Sequence, residues 1–371
     1  MSEYKQCSRC IMDTTVPGIT FDEQGVCSVC TAFQEKVNRQ LHSNLHALAN
    51  LFAKVIKDRS LFDNSDFDCV VGYSGGLDST ALLYILHRYE HRIEPYVIHL
   101  DGGWDTDLCA KNIERVISKT GFYMETVKLP ADIMIELAKA YMKANVVDIE
   151  APFDHAVMTV LYEKARKLKI KTLLSASNIT TEGLMPQSWR FEKGDDINIR
   201  DIYFRMIGKE LKDFPLMSSW KRIYYRKICH IKELSPLDYL YPPYDRNVWM
   251  KRVNSEFGWE DYGGKNYEYR FTRFDKGYMQ REKYGFDKVR ALYSAQIMMG
   301  AITREQALEM MKYNYYDDPI VFEEDMRYFL RRMNMTEREL DEYLYTPVRS
   351  QFEFEYRRFY PKIIKLLKKL R

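Results

Sequence analysis

The segment that most constrains this sequence is an apolar run that passes through two glycines into a helical pattern. Residues 68–73 are followed by Ser74-Gly-Gly-Leu-Asp-Ser-Thr80, and the helical pattern ends near Tyr89. Glycine permits backbone conformations and close approaches that a Cβ atom would block. The N–H groups of such a loop, with the positive end of the following helix dipole, make a cradle for an anion. We therefore predict a phosphate-binding loop. Its candidate nucleotide-binding residues are Ser74, Gly75, Gly76, Asp78, Ser79 and Thr80.

This loop differs from the common P-loop, whose Gly-Lys-Ser/Thr ending supplies a lysine to the phosphates. No lysine follows Gly76, and the Asp78 carboxylate would weaken the binding of a bare phosphate. Asp78 therefore either orients the loop or meets a Mg²⁺ ion that the nucleotide carries. The alternative is a glycine turn, capped by serine or aspartate, that binds no ligand.

Strand-like runs alternate with helical patterns after this loop. Further strands are predicted at 95–100, 126–129, 171–175 and 228–237, and helices at 107–119, 153–168 and 245–257. This alternation is typical of an α/β fold in which a parallel sheet carries helices on both faces.

The chain divides into three predicted parts. Residues 1–45 hold a cysteine-containing segment and the start of a helical connector at 31–58. Residues 46–260 hold the sheet, with an irregular insertion at 185–226, and residues 261–371 are mainly helical.

Four of the seven cysteines form two close pairs, Cys7/Cys10 and Cys27/Cys30. Their spacing is that of a tetrahedral zinc site, with an iron–sulfur cluster or chance pairing as alternatives. Four thiolates leave no open coordination position, so we expect a structural metal that braces the fold or docks a partner. The remaining cysteines are expected to be core residues. They are Cys69, Cys109 and Cys229.

Composition limits the partners and the compartment. The net charge is +3, from 56 basic and 53 acidic residues, which argues weakly against a nucleic-acid partner. No apolar run is long enough for a membrane helix, so we expect a cytoplasmic protein without stable membrane insertion. The basic amphipathic segment 360–371 is predicted to be a helix that packs on the protein or touches a membrane surface.

The Ser74–Ser79 string matches the signature of the PP-loop ATP pyrophosphatases, a superfamily that includes GMP synthetase, asparagine synthetase and the tRNA thiolases. This resemblance implies an adenine nucleotide alpha hydrolase-like sheet whose loop grips pyrophosphate while chemistry occurs at the α-phosphorus of ATP. It also implies that Asp101, after the second strand, and Asn178, after the fourth, lie at the nucleotide site. Each of these two residues is also common in turns.

The C-terminal half places cations beside aromatic residues. The cations are Lys265, Arg273, Arg281, Lys283 and Lys288. Such residues could neutralise pyrophosphate or hold an anionic substrate, and the alternative is a solvated basic surface. With Asp78, we take Lys265 and Arg273 as candidate catalytic residues.

Together, the cysteine pairs, the loop, Asn178-Ile-Thr-Thr-Glu-Gly183 and the Phe257-Gly-Trp…Gly-Gly-Lys265 block resemble the N-acetyl sugar amidotransferases of bacterial surface-polysaccharide and flagellin-sugar biosynthesis. The resemblance runs nearly end to end, although Asn266-Tyr-Glu-Tyr269 departs from the family's pattern. It implies that ATP, Mg²⁺ and ammonia convert a sugar acetamido group to an acetamidino group through an O-adenylyl imidate. The implied substrate is a nucleotide-linked or nonulosonic N-acetyl sugar.

The ammonia source is expected to be another protein, because this sequence contains no recognisable glutaminase arrangement. The family resemblance implies a separate glutaminase subunit with a cyclase-like barrel subunit. Two other functions remain open at this point. One is a PP-loop tRNA thiolase, which would need a sulfur-carrying cysteine pair near the loop; the other is a non-catalytic nucleotide-binding subunit.

Overall fold

The computed structural model describes residues 4–60, 66–89, 93–285 and 287–357, and its centre is a parallel sheet of five strands. The strands are β1 (Cys69–Gly72), β2 (Pro95–Asp101), β3 (Met124–Lys128), β4 (Thr172–Leu174) and β5 (Lys232–Leu234). Their order across the sheet is β3-β2-β1-β4-β5, and every neighbouring pair is parallel. The predicted α/β fold class is confirmed.

Helices cover both faces of the sheet because β1 is apolar on both. Successive side chains of a strand point to opposite faces. Val70 accordingly packs in one hydrophobic cluster, whereas Cys69 and Val71 pack in another. A strand buried on both faces needs a continuous apolar run instead of an alternating one, and this is the pattern in the sequence.

The helices before β5 are α1 (Ser28–Gln40), α2 (Ala47–Ser60), α3 (Leu77–Arg88), α4 (Asp107–Thr120), α5 (Ala131–Ala144), α6 (Ala151–Lys167), α7 (Ile179–Glu182), α8 (Asp196–Ile207) and α9 (Ser219–Ile223). Those after β5 are α10 (Arg246–Phe257), α11 (Arg270–Phe274), α12 (Gln280–Tyr284), α13 (Lys288–Met298), α14 (Arg304–Met310), α15 (Pro319–Met333) and α16 (Glu337–Tyr345). The predicted helical C-terminal region is therefore present in the described residues.

Three sequence predictions need correction. The single connector helix predicted at 31–58 is two helices, α1 and α2, because the chain turns between them and His42 N–H donates to Asp238 O at 2.9 Å. The predicted irregular segment 185–226 contains α8 and α9. The fifth strand is shorter than predicted, since Tyr224–Ile228 forms a π-helical turn before it and Pro236–Tyr239 forms a 3₁₀ turn after it.

The C-terminal helices share a core with the sheet. Phe274 of α11 and Phe329 of α15 have ring centroids 4.7 Å apart, and both belong to the cluster that holds Val70. The predicted helix at 360–371 lies outside the described residues. Within the residues that are described, no helix is both long enough and apolar enough to span a bilayer.

Candidate nucleotide site and cysteine cluster

The glycine loop lies between β1 and α3, at the carboxyl edge of the sheet. Gly75 has φ +82°, a left-handed conformation that favours glycine. The loop is closed by its own hydroxyls: Gly76 N–H donates to Ser74 Oγ at 3.1 Å, and Ser79 Oγ donates to Gly76 O at 3.0 Å. Thr80 is completely buried beneath the loop with its Oγ1 3.3 Å from Tyr73 Oη, so its hydroxyl faces the core.

Two aromatic residues donate hydrogen bonds to the loop. Trp259 Nε1 and Tyr262 Oη both donate to Gly75 O, each at 2.9 Å, and both side chains are buried. A carbonyl oxygen has two lone pairs, so these two donors satisfy it and fix the loop backbone at Gly75. The sequence analysis did not assign these two residues to the site, although both lie in the block that carried the family resemblance.

Asp78 stands at the centre of a buried ion-pair network. Its Oδ2 lies 2.6 Å from Lys265 Nζ, and its Oδ1 accepts a hydrogen bond from Tyr244 Oη at 2.7 Å. Arg246 Nη1 lies 4.0 Å from Oδ1. Burial opposes ionisation of Asp78, but the charges of Lys265 and Arg246 outweigh it and hold the pKa of the carboxyl below its ordinary value.

The same Lys265 ammonium also contacts α7. Lys265 Nζ donates to Thr181 Oγ1 at 2.8 Å and lies 3.1 Å from Glu182 Oε1. Asn178 caps α7 and its Nδ2 lies 3.4 Å from Asp78 Oδ2. Burial lowers the pKa of Lys265, yet Asp78 and Glu182 raise it above the ordinary value, so the ammonium stays charged.

The structure thus brings together Asp78, Lys265 and Asn178, three of the residues predicted from the sequence. It also adds partners that sequence reasoning missed. They are Tyr244, Arg246, Thr181, Glu182, Trp259, Tyr262 and Glu268.

Two predicted residues lie apart from this network. Arg273 pairs with Asp325, with Nε–Oδ2 and Nη2–Oδ1 distances of 2.7 Å and 2.6 Å. This bidentate pairing ties α11 to α15 and occupies the guanidinium that we predicted to be catalytic. Asp101 caps the turn after β2, where its Oδ1 accepts a hydrogen bond from Gly103 N–H at 2.7 Å.

A carboxylate from the C-terminal half lies directly on the loop. Glu268 Oε1 accepts a hydrogen bond from Ser74 Oγ at 3.0 Å. A Cβ atom built on Gly76 would lie 2.5 Å from the same oxygen. Burial raises the pKa of Glu268 above its ordinary value.

An apolar cleft opens beside the end of β2. Aromatic and aliphatic side chains form most of its wall, and Glu150 and Thr272 supply polar groups. Thr272 Oγ1 donates to Glu150, so these two groups are already paired. An apolar wall with a few polar groups is typical of ligand-binding clefts.

The N-terminal cysteines form one compact cluster. The Sγ atoms of Cys7, Cys10, Cys27 and Cys30 all lie within 4.8 Å of one another, and two of the separations are 3.9 Å. A tetrahedral ion with metal–sulfur bonds of about 2.3 Å has sulfur–sulfur edges of about 3.8 Å. Hydrogen bonds from Cys10 and from backbone N–H groups lower the pKa of Cys7 to about 6. The cluster can therefore hold one tetrahedral metal ion.

Comparison with known proteins adds a partial sequence match. Residues 268–371 match the family model of the WbpG-like LPS biosynthesis protein, C-terminal domain. No curated protein matches the sequence.

Three solved structures are similar to this chain at low identity. The NH3-dependent NAD synthetase of Campylobacter jejuni is 13% identical over 74% of this chain and 95% of its own, with a TM-score of 0.34. The U34-tRNA thiolase NcsA of Methanococcus maripaludis, solved with its [4Fe-4S] cluster, is 15% identical over 80% and 88%, with a TM-score of 0.31. A predicted tRNA methyltransferase subunit of Methanocaldococcus jannaschii is 19% identical over 51% and 75%, with a TM-score of 0.29.

Proposed function

We propose that this protein is an ATP-dependent amidotransferase that converts the acetamido group of a sugar to an acetamidino group. The observation that carries the proposal is the loop at the carboxyl edge of β1, with the Lys265 ammonium and the Arg246 guanidinium held at its side by Asp78. A glycine loop at a helix N-terminus with two adjacent cations suits a polyphosphate ligand.

The loop and its cations would act on the leaving group. The substrate's carbonyl oxygen attacks the α-phosphorus of ATP, and the bond to the β-phosphate breaks to release pyrophosphate. Negative charge grows on that pyrophosphate, where loop N–H groups, Lys265 and Arg246 can stabilise it. Asp78 keeps Lys265 charged and in place, so it is a positioning residue in this scheme.

The second half of the reaction replaces AMP. Ammonia adds to the carbon of the O-adenylyl imidate, and the carbon–oxygen bond breaks to release AMP and leave the amidine. A separate glutaminase with a cyclase-like barrel subunit would supply the ammonia. Water would hydrolyse the imidate, so the apolar cleft beside β2 serves to exclude it around the bound reactants.

The sugar substrate is supported by the C-terminal match. Residues 268–371 resemble a domain of proteins assigned to lipopolysaccharide biosynthesis, and these residues supply Glu268 to the loop. A nucleotide-linked or nonulosonic N-acetyl sugar is the corresponding substrate class. Mg²⁺ would accompany ATP, and the cysteine cluster would hold a structural Zn²⁺ ion.

The test is pyrophosphate release from ATP, Mg²⁺ and ammonium chloride over a panel of nucleotide-linked acetamido sugars and nonulosonic acids, with mass spectrometry of the products. We expect AMP and a sugar in which NH replaces oxygen. The Lys265→Met variant should release no pyrophosphate, and Glu309→Gln, in an exposed ion pair with Lys312, is the matched control. Activity on tRNA with a sulfur donor would instead support a thiolase. ATP binding without turnover on any substrate would support a non-catalytic subunit.

A further inference from the structure

The carboxylate of Glu268 is buried against the phosphate-binding loop without a cationic partner. It is only 5% exposed, and it accepts a hydrogen bond from Ser74 Oγ. Among the described residues, Glu268 forms no ion pair with a lysine, arginine or histidine nitrogen within 4 Å, and the charges of Lys276 and Arg246 act on it only from farther away. A buried carboxylate without a paired charge costs free energy, and proteins usually compensate such a group.

Backbone hydrogen bonds fix the main chain at Glu268. Residues 268–270 run antiparallel to residues 104–106, with a bridge between Asp105 and Tyr269. Thr106 N–H donates to Glu268 O at 3.0 Å, and Arg270 N–H donates to Trp104 O at 2.8 Å. Backbone pairing therefore fixes the position from which the Glu268 side chain extends to the loop.

A nucleotide in the loop would bring phosphate oxygens close to this carboxylate. Like charges at such distances repel strongly in a site of low dielectric constant. A divalent cation between the phosphate oxygens and the Glu268 carboxylate attracts both groups, so the repulsion is replaced by attraction. Mg²⁺ in nucleotide sites is commonly held by one or two carboxylates together with the substrate's phosphates.

The other acidic residue of the loop is already engaged. Both oxygens of Asp78 have partners, Lys265 and Tyr244, at 2.6 Å and 2.7 Å. A metal ion bound through Asp78 would lie beside the Lys265 ammonium, which repels a second cation, whereas Glu268 has no such ion pair.

A second carboxylate near the loop has an oxygen without a partner. Asp105 Oδ2 lies 2.8 Å from His99 Nε2, but Asp105 Oδ1 is buried and has no hydrogen-bond partner. Asp105 and Glu268 are both close enough to Cys109 to act on its thiol, and that thiol's Sγ donates to Ser74 O at 3.4 Å. Two incompletely satisfied carboxyl groups therefore flank the loop.

We propose that Glu268, with Asp105 on the segment paired to it, is the protein ligand of the divalent cation that accompanies the nucleotide at this loop. This inference rests on the proposed function, because it requires a nucleotide in the cradle. It gives Glu268 the metal-binding role that the sequence analysis considered for Asp78, and leaves Asp78 to hold Lys265.

Binding of α,β-methylene-ATP, measured by calorimetry with saturating Mg²⁺ and with EDTA, tests this assignment. The wild-type protein should bind the analogue more tightly with Mg²⁺. In Glu268→Gln, the ratio of the two affinities should fall at least about 10-fold. Glu268→Asp, which keeps the charge, should retain part of the ratio, and Glu309→Gln should keep all of it. An unchanged ratio in Glu268→Gln, or tighter binding of the Mg²⁺ form, would refute the inference.

A second measurement uses the wild-type protein and does not depend on how the variants fold. Fe²⁺ replaces Mg²⁺ in the presence of the analogue, and ascorbate with peroxide then cleaves the backbone near the bound ion. Nucleotide-dependent cleavage next to residue 268 and residues 104–106 is expected. Cleavage confined to the segments around Asp78 and Glu182 would overturn the assignment. Failure of the wild-type protein to bind the analogue at all would contradict the proposed function itself.

Discussion

The buried ion pair between Asp78 and Lys265 makes a quantitative prediction for Asp78→Asn. Asparagine keeps the size of the side chain and can still accept a hydrogen bond from Tyr244, but it removes the charge. The Asp78 and Lys265 side chains are only 14% and 16% exposed, so solvent screens little of the loss. Lys265 is then left with Glu182 as its remaining acidic partner, at 3.1 Å.

The expected magnitude follows from these contacts. Removing one member of a buried ion pair typically costs about 3–5 kcal/mol. Because Glu182 is 42% exposed and still pairs with Lys265, we expect a cost near the lower end, about 3 kcal/mol. The entropy of unfolding of a 371-residue chain is about 0.8 kcal/mol/K, so the variant's Tm should fall by about 4 °C if the chain unfolds cooperatively.

Differential scanning calorimetry of a double-mutant cycle checks this reasoning. The cycle combines Asp78→Asn with Lys265→Met, and the coupling free energy should be about 1–3 kcal/mol. Glu309→Gln breaks a pair whose side chains are 58% and 67% exposed, and it should shift Tm by less than about 1 °C. A Tm for Asp78→Asn within 1 °C of the wild type, together with additive single mutations, would show that the network does not stabilise the loop.

Three further predictions follow from single contacts. Gly76→Ala places a Cβ atom 2.5 Å from Glu268 Oε1, so α,β-methylene-ATP affinity measured by calorimetry should fall at least about 10-fold; unchanged affinity would contradict the proposed cradle. Cys27→Ser should lower both the bound metal measured by mass spectrometry and the Tm, and retention of one ion per chain would rule out the four-cysteine site. Burial, with a smaller contribution from the Glu150 charge, raises the pKa of Asp275 to about 7. Protonation of Asp275 stabilises the folded protein below about pH 4, and this stabilisation is lost as the pH rises towards 7. In Asp275→Asn, Tm should therefore depend less steeply on pH over this range, and a slope unchanged from the wild type would refute this.

Local signals account for what the sequence predicted well. An apolar run, two glycines and a helical pattern are adjacent in the chain, so the loop between β1 and α3 could be located without tertiary information. Alternation of strands and helices similarly specified the parallel sheet. The cysteine spacing predicted that four thiols meet, and the cluster confirms that they do.

Long-range contacts account for what the sequence did not predict. Tyr244 and Arg246 meet Asp78 across more than 160 positions, and no local pattern distinguishes them from the other tyrosines and arginines of the sequence. Arg273 has the same cation-beside-aromatic pattern as Lys265, but folding gives it Asp325 as a partner. A pattern of residue types indicates which groups can bind an anion, whereas tertiary packing decides which of them remain near the loop.

The helix α7 connects the cysteine cluster to the candidate nucleotide site. Ile179, its first residue, packs in the same hydrophobic cluster as the four cysteines and Phe33. A Cβ atom on Gly183, which follows α7, would lie 2.6 Å from Phe33 Cε2, so this end of the helix is pressed against α1. Thr181 and Glu182, on the same short helix, contact Lys265. Since a helix of four residues has little stability of its own, its position depends on these packing contacts. The cysteine cluster therefore supports the site through α7, at a distance from the loop, and a closed four-thiolate cluster is compatible with that role.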